Sequence, residues 1–249
     1  MLKGDKRALA RLMTYVDNRH EDLIKIMSEV YEHSGKACRI GITGPPGSGK
    51  STLVDKLIGH FRQQGKKVGV VAIDPSSPFT GGAVLGDRIR MMDHSSDENV
   101  FIRSLGSRGS HGGLSRATRD VVHLMDAFGF DVILIETVGV GQTELDIMAV
   151  AHSTIVVLVP EAGDTIQTMK AGLMEIADIF VVNKADREGA DRIAGELAAL
   201  SDMYSSEWKV PVLKTEATRG KGIDELVRAL SGHAEFMKGN PAAHERAHK

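Results

Sequence analysis

Gly44-Pro45-Pro46-Gly47-Ser48-Gly49-Lys50-Ser51 matches the pattern G-x-x-x-x-G-K-[ST], and Thr52 follows it. The motif comes after an apolar, β-rich run at 39–43. It opens a segment that carries Leu53, Leu57 and Ile58 on one side, so it sits where a strand turns into a helix. Glycines at such a turn let backbone N–H groups approach phosphate oxygens, and the helix N-terminus adds positive potential. Lys50 brings a point charge to the β- and γ-phosphates, and the Ser51 hydroxyl suits Mg2+. The stretch implies a nucleoside-triphosphate site.

Outward from the motif, short β-rich runs recur at 67–73, 100–105, 131–135, 155–159, 179–182 and 211–213. Several are apolar throughout, as strands covered on both faces are. Helical periodicity separates most of them, at 51–64, 114–128, 163–176, 191–201 and 223–236. This alternation predicts an α/β fold, a mostly parallel sheet flanked by helices on a P-loop core. Before it, residues 5–33 read as two helices, with Leu9, Leu12, Met13 and Val16 on one face and Leu23, Met27 and Val30 on the next. Asn18, with Glu21 three residues on, reads as a capping box that restarts the helix. The expected organisation is a helical extension over 1–36, the nucleotide-binding domain over 37–236 and a mobile tail over 237–249. Two glycine- and proline-rich linkers, 74–97 and 106–113, break the rhythm, and linkers that long in a compact domain are usually functional.

The base is read from Asn183-Lys184-Ala185-Asp186, at the end of an apolar run. A carboxylate at Asp186 can accept from guanine N1–H and the 2-amino group. Against adenine it would stay unpaired, and unmet polar groups discriminate strongly. Thr215-Glu216-Ala217 follows the last run and is expected to offer backbone N–H groups to the guanine O6. GTP, rather than ATP, follows. Glu136 ends another apolar run where many GTPases carry an aspartate that reaches Mg2+, and Gly139 is placed to give its N–H to the γ-phosphate. Asp74 ends a run too, and Asp87 lies in the first linker. Mg2+ takes oxygen ligands, so Ser51, Asp74, Asp87 and Glu136 are its candidates.

Composition narrows the class. Lys+Arg 31 against Asp+Glu 33 gives a net charge of −2, so no basic field argues for nucleic acid or an anionic membrane. Cys38 is the sole cysteine, which fits a reduced compartment. No apolar run approaches bilayer length and the N-terminus lacks a signal core, so a cytoplasmic protein is expected.

Several longer stretches carry a resemblance. Gly4-Asp-Lys-Arg-Ala-Leu-Ala-Arg11, the phosphate loop, Asp74-Pro-Ser-Ser-Pro-Phe-Thr-Gly-Gly-Ala-Val-Leu-Gly-Asp87, Gly112-Gly-Leu-Ser-Arg-Ala-Thr118 and Glu136-Thr-Val-Gly139-Val-Gly-Gln142 resemble the MeaB/ArgK family, which includes the human MMAA protein. The resemblance runs from about Gly4 to Leu230. It implies a SIMIBI-class G domain, GTP/GDP and Mg2+ as ligands, and an adenosylcobalamin-dependent acyl-CoA mutase as partner. In that picture nucleotide state gates cofactor delivery or protection. It also implies catalytic or magnesium roles for Lys50, Ser51, Asp74, Asp87 and Glu136, and a second switch at Gly139–Gln142. Asp164, Gln167 and Lys170 fall in a further switch through which the mutase stimulates slow hydrolysis, and Lys170 is implied as a catalytic residue too. Family members often continue into a helical dimerisation arm. This sequence ends soon after its last amphipathic helix, so a homodimer is left open without that arm. Two other classes compete: a nickel-type metallochaperone GTPase, which would need soft or imidazole ligands, and a small-molecule kinase, which would need an acceptor pocket.

Overall fold

The structure, a computed structural model, describes residues 1–74, 94, 96–106, 116–137, 147–162, 175–204 and 207–240. The elements in chain order are α1 (Lys6–Asp17), α2 (Leu23–His33), β1 (Cys38–Thr43), α3 (Lys50–Gln63), β2 (Val68–Asp74), β3 (Val100–Gly106) and α4 (Arg116–Phe128). There follow β4 (Val132–Glu136), β5 (Ser153–Leu158), β6 (Ile179–Asn183), α5 (Ala190–Met203), β7 (Val212–Thr215) and α6 (Ile223–Gly239). The strands form a single seven-stranded sheet in the order β3-β2-β4-β1-β5-β6-β7. Every pairing is parallel, which sharpens the expectation of a mostly parallel sheet. All strand C-termini therefore lie along one edge, where open α/β sheets bind ligands.

Alternation along each strand explains the apolar runs. Ile40, Ile42, Val68, Val70, Leu134, Val157 and Val181 face Leu53, Leu57 and Ile58 of α3 and Leu226 and Leu230 of α6. The intervening Val71, Ile73, Ile133 and Ile135 face Leu9 and Met13 of α1, Val30 of α2 and Val121 and Met125 of α4. Beyond β1, Val156, Phe180 and Val182 pack on Ile193 and Leu197 of α5. Both sheet faces are thus buried, as a parallel sheet requires.

The N-terminal helices are tied to the sheet by polar contacts as well. Asp5 caps α1 by accepting from the N–H groups of Arg7 and Ala8 at 2.8 and 3.2 Å, and these bonds hold its carboxyl below the ordinary range. The buried Asp126 of α4 accepts from the N–H groups of Gly35, Lys36 and Ala37 at 2.8, 3.0 and 3.0 Å, fixing the link into β1. Arg103 of the edge strand β3 pairs with Asp17 at 2.6 Å.

Two local readings change. Asn18 is the C-cap of α1, its N–H bonded to Thr14 and Val16 carbonyls, and α2 starts from Asp22. The capping-box pattern is therefore not realised, because the chain first turns through Arg19 at φ 51°. The last helix runs on to Gly239, past the end of its apolar pattern, with Lys238 in its final turn favouring the helix dipole. Residues 163–174 of the predicted helix over 163–176 and most of both linkers lie outside the described residues, as do 241–249. Among the described residues no helix is long and apolar enough to cross a membrane.

At the opposite sheet edge, Ser153 Oγ lies 2.8 Å from His233 Nδ1, and His233 Nε2 lies 3.3 Å from Asp178 Oδ1. Asp178 Oδ2 accepts from the Thr154 N–H at 2.7 Å. Burial pushes Asp178 up to about 7 and His233 down to about 4. Asp178 alone would stabilise the fold below pH ~4 and lose that contribution as pH rises towards 7. His233 alone would stabilise it above its unfolded value near 6.5 and lose that as pH falls towards 4. In between, the folded pair and the unfolded pair each hold one proton, so the slopes cancel. Urea midpoints between pH 4 and 6.5 should make Asp178→Asn gain stability with rising pH and His233→Gln lose it. The limit is ~1.4 kcal/mol per pH unit relative to wild type. Parallel profiles for all three proteins would refute the shared proton.

Candidate functional site: a phosphate loop beside a base-reading turn

β1 delivers Gly44 to the ligand edge of the sheet, and α3 starts at Lys50. The turn between them is shaped by glycine geometry. Gly44 has φ 136°, and a Cβ there would stand 2.1 Å from the Val157 carbonyl oxygen. Gly49, the N-cap of α3, has φ 91°, and its Cβ would meet Asn183 Nδ2 at 2.3 Å. Any other residue at either place would collide with the β5 backbone or with Asn183. Pro45, Pro46 and Gly47 complete the turn, and the Ser48 N–H donates to the Pro45 carbonyl at 3.2 Å. Ser48 Oγ is buried with no hydrogen-bond partner among the described residues. Lys50 is buried, and its Nζ donates to the carbonyls of Gly44 and Pro45 at 2.7 and 3.1 Å. Its ammonium thus lies over the loop, not in solvent. Thr52 continues the helix.

Ser51 Oγ donates to Glu136 Oε1 at 2.6 Å, with both side chains buried. The glutamate's extra methylene lets it span from the end of β4 to the first turn of α3. Beside it, Thr137 Oγ1 donates to Thr43 Oγ1 at 2.9 Å and Thr137 N–H to the Ile42 carbonyl at 3.0 Å, locking β4 to β1. A hydroxyl and a carboxylate brought together at the phosphate loop form a hard-oxygen donor set, which fits Mg2+. Asp74 closes β2, its backbone paired with Gly106 of β3. The readings placed on its carboxylate and on Asp87, Gly139, Gln142, Asp164, Gln167 and Lys170 lie outside the described residues.

Asn183 binds the site into one unit. Its Nδ2 donates to the Ser48 carbonyl at 2.8 Å, while its Oδ1 accepts from Thr215 Oγ1 at 3.0 Å and from the Ala217 N–H at 3.1 Å. Lys184 adopts the left-handed region at φ 56°, rare for a side-chain-bearing residue and a mark of a constrained turn. The Ala185 N–H donates to the Thr215 carbonyl at 3.0 Å. Asp186 is exposed and has no hydrogen-bond or ion-pair partner among the described residues. Glu216 is held by Lys221 and Arg219 at 2.9 and 2.8 Å, and those two hydrogen bonds keep its carboxyl below the ordinary range.

One expectation meets a competing geometry. The Glu216 N–H donates to the Lys221 carbonyl at 3.1 Å, and that of Ala217 is committed to Asn183. These amides brace the turn here instead of facing outward. Sequence reasoning gave Asn183 only a place in a motif, whereas the structure makes it a three-way tie. The Ser51–Glu136 contact likewise joins two residues that no local pattern connects. Among the described residues, no group of three or more His, Cys, Asp or Glu side chains is placed to hold a metal by itself.

Comparisons with known proteins agree with this geometry. The family described as "Methylmalonyl Co-A mutase-associated GTPase MeaB" matches residues 9–249. A protein named as a GTPase in Pyrococcus abyssi is 54% identical over 254 residues, covering 100% of this chain and 78% of that protein. The mouse methylmalonic aciduria type A homolog, mitochondrial, is 34% identical, over 91% of this chain and 59% of that one. Among solved structures, a LAO/AO transport system kinase superposes with a TM-score of 0.82 at 28% identity, covering 99% of this chain and 76% of that one. HypB from Helicobacter pylori, in complex with nickel, gives 0.59 at 17% identity, covering 86% of this chain and 94% of that one, and shares the fold.

Replacing Asn183 tests the tie. Asn183→Ala strands the Ser48 carbonyl, the Thr215 hydroxyl and the Ala217 N–H, each buried or nearly so. A loss of about 2–3 kcal/mol is expected from unsatisfied groups of this kind. Denaturant unfolding should show it, together with weakened GTP binding by calorimetry. A variant that keeps wild-type stability and affinity would mean that the three loops hold their places without the amide.

Proposed function

The chain belongs to the MeaB family of methylmalonyl-CoA mutase-associated GTPases, and on that premise we propose that it is a GTP-driven switch that gates adenosylcobalamin delivery to, or protection of, an acyl-CoA mutase. GTP hydrolysis is the family's reaction. What most supports its assignment to these residues is the alignment, on one sheet edge, of the phosphate cradle, the Ser51–Glu136 pair and the Asn183 tie.

In this reading the triphosphate lies over residues 44–51. Lys50, which now holds the loop's own carbonyls, re-pairs with β- and γ-phosphate oxygens, and the first amides of α3 face the same charge. Ser51, Asp74, Asp87 and Glu136 would hold Mg2+, which neutralises charge on the transferring phosphoryl group when bound. Gly139 gives its N–H to the γ-phosphate, and Gln142 is the candidate that orients the attacking water. Catalysis is then mainly charge stabilisation, and Lys50 is the side chain that brings positive charge to the γ-phosphoryl group. Asp186 reads the guanine edge, and Lys184 lies along the base plane. Asp164, Gln167 and Lys170 form the segment that senses the mutase.

The coupling follows from where the acids sit. Asp74, Asp87 and Glu136 lie on three separate segments. Bringing them together costs conformational entropy, so hydrolysis by the isolated protein is slow. A mutase state that binds only the assembled form offsets that cost. By linkage, GTP then favours the same mutase state.

Lys50→Ala should weaken GTP binding roughly 10- to 100-fold by calorimetry, the worth of a charge-assisted phosphate contact. Unchanged affinity would count against the loop as the phosphate site. Asp186→Asn should move preference from GTP towards xanthosine triphosphate, since the amide offers a donor to the 2-oxo group. A GTP/xanthosine ratio like that of wild type would remove Asp186 as the base reader. Phosphate release measured with and without acyl-CoA mutases should show stimulation of wild type and little of Asp87→Ala. If no such mutase stimulates wild type, the gating role fails, while the GTP site stands on the first two tests.

A further inference from the structure

We propose that Thr43 and Thr137 form a positioning clasp for the magnesium end of the nucleotide site: their hydroxyl contact holds the end of β4, and with it Glu136, in place against the start of the phosphate loop. Thr137 Oγ1 donates to Thr43 Oγ1 at 2.9 Å, and the two residues are 1% and 0% exposed. Neither belongs to the phosphate-loop motif or to the N-K-x-D turn. Thr43 is the last residue of β1, directly before Gly44, and Thr137 directly follows Glu136. Each hydroxyl therefore sits one residue from a group that the site uses.

Alternation along β4 divides the contacts between the two sheet faces. Leu134 packs on the α3 side, and Ile133 and Ile135 pack on the α1 side. Glu136 thus turns towards α3, where its Oε1 accepts from Ser51 Oγ at 2.6 Å, and Thr137 turns to the other face, where it meets Thr43. Between them the Thr137 N–H donates to the Ile42 carbonyl at 3.0 Å, one step past the paired residues Ile42 and Glu136. The contacts close a ring. The chain runs from Thr43 through the phosphate loop to Ser51 and crosses to Glu136 by one hydrogen bond. It then steps to Thr137 and returns to Thr43 by another. The first step of the ring is tightly packed, since a Cβ on Gly44 would stand 2.1 Å from the Val157 carbonyl oxygen of β5.

The ring matters because Mg2+ demands near-ideal octahedral geometry. A carboxylate reaches a metal through a side chain that pivots on its backbone, so any shift at the end of β4 is carried to the Glu136 oxygens. Gripped only by Ser51, that end could turn about a single contact. The clasp on the opposite face opposes the turn, and a β-branched residue suits the task because its χ1 is stiff. Groups that orient metal-binding side chains without touching the ion are typically worth 10- to 100-fold in metal affinity or activity. The inference rests on the proposed magnesium role of Ser51 and Glu136, and adds to it two residues that act through them.

The test compares isosteric variants in three measurements: affinity for a fluorescent, non-hydrolysable GTP analogue with Mg2+ and with a chelator, single-turnover GTP hydrolysis, and the thermal midpoint. Thr137→Val should lower the midpoint by roughly 3 °C, because it leaves the buried Thr43 hydroxyl without its donor. Thr43→Val combined with Thr137→Val removes both hydroxyls and keeps both shapes, so the midpoint should return to within about 1 °C of wild type. The double variant should nonetheless lose about tenfold of the affinity that Mg2+ confers, and about tenfold in turnover, with affinity in the chelator unchanged. Thr137→Ser, which keeps the hydroxyl, should recover most of both. A double variant with wild-type Mg2+ dependence and turnover would overturn the inference and mark a merely structural contact. Failure to fold, or an affinity loss equal with and without Mg2+, would overturn it as well. Failure of the underlying magnesium reading looks different: wild type itself would bind the analogue equally with and without Mg2+, Ser51→Ala would change neither affinity, and the clasp would fall with that reading.

Discussion

The side-chain amide of Asn183 spans the phosphate loop, the β6 terminus and the turn after β7, donating to Ser48 and accepting from Thr215 and Ala217. These three segments are far apart in the chain and would each be free to wander at the sheet edge. One buried amide uses its donor and acceptor ends to close them on one another, and a loss at any arm leaves a desolvated polar group behind. Gly49 makes the approach possible, because a side chain there would occupy the space of Asn183 Nδ2. The phosphate-loop motif and the N-K-x-D turn are therefore mechanically joined before any ligand arrives.

That edge is only as rigid as the sheet behind it. Every pairing is parallel, and the inner strands β4, β5 and β6 are buried throughout, so the sheet needs helices above and below. The N-terminal helices fill the layer over β2 and β4 together with α4. Their docking is polar at its joints, through Asp126 and the 35–37 amides and through the Arg103–Asp17 pair on the edge strand. A charged, helix-flanked edge also discourages pairing with another chain. The extension thus packs against the same layer that supports the site.

Ser51 and Glu136 are joined by the β4–α3 contact, and Asp74 closes β2 at the same sheet edge. His94 and Arg62 tether the chain entering β3 to α3, the helix that follows the phosphate loop.

The amino-acid sequence by itself determined the strand–turn–helix of the phosphate loop, the alternation of apolar strands and amphipathic helices, and the order of the loop and N-K-x-D motifs. Each rests on spacing within a few residues, where backbone geometry and periodicity act directly. The tertiary structure decided what depends on distant partners. The strand order sets Ile42 beside Glu136, and so lets Ser51 meet a carboxylate from β4. Asn18, a capping residue by pattern, became the end of α1 because the chain had to turn before α2 could dock on α4. The amides of Glu216 and Ala217, open donors by sequence, were claimed by Lys221 and Asn183. His94 had no motif at all, and only the packing of the returning chain against α3 put it beside Asp55. Local patterns are short-range and additive, while these contacts exist only once the sheet has brought its crossovers to one edge.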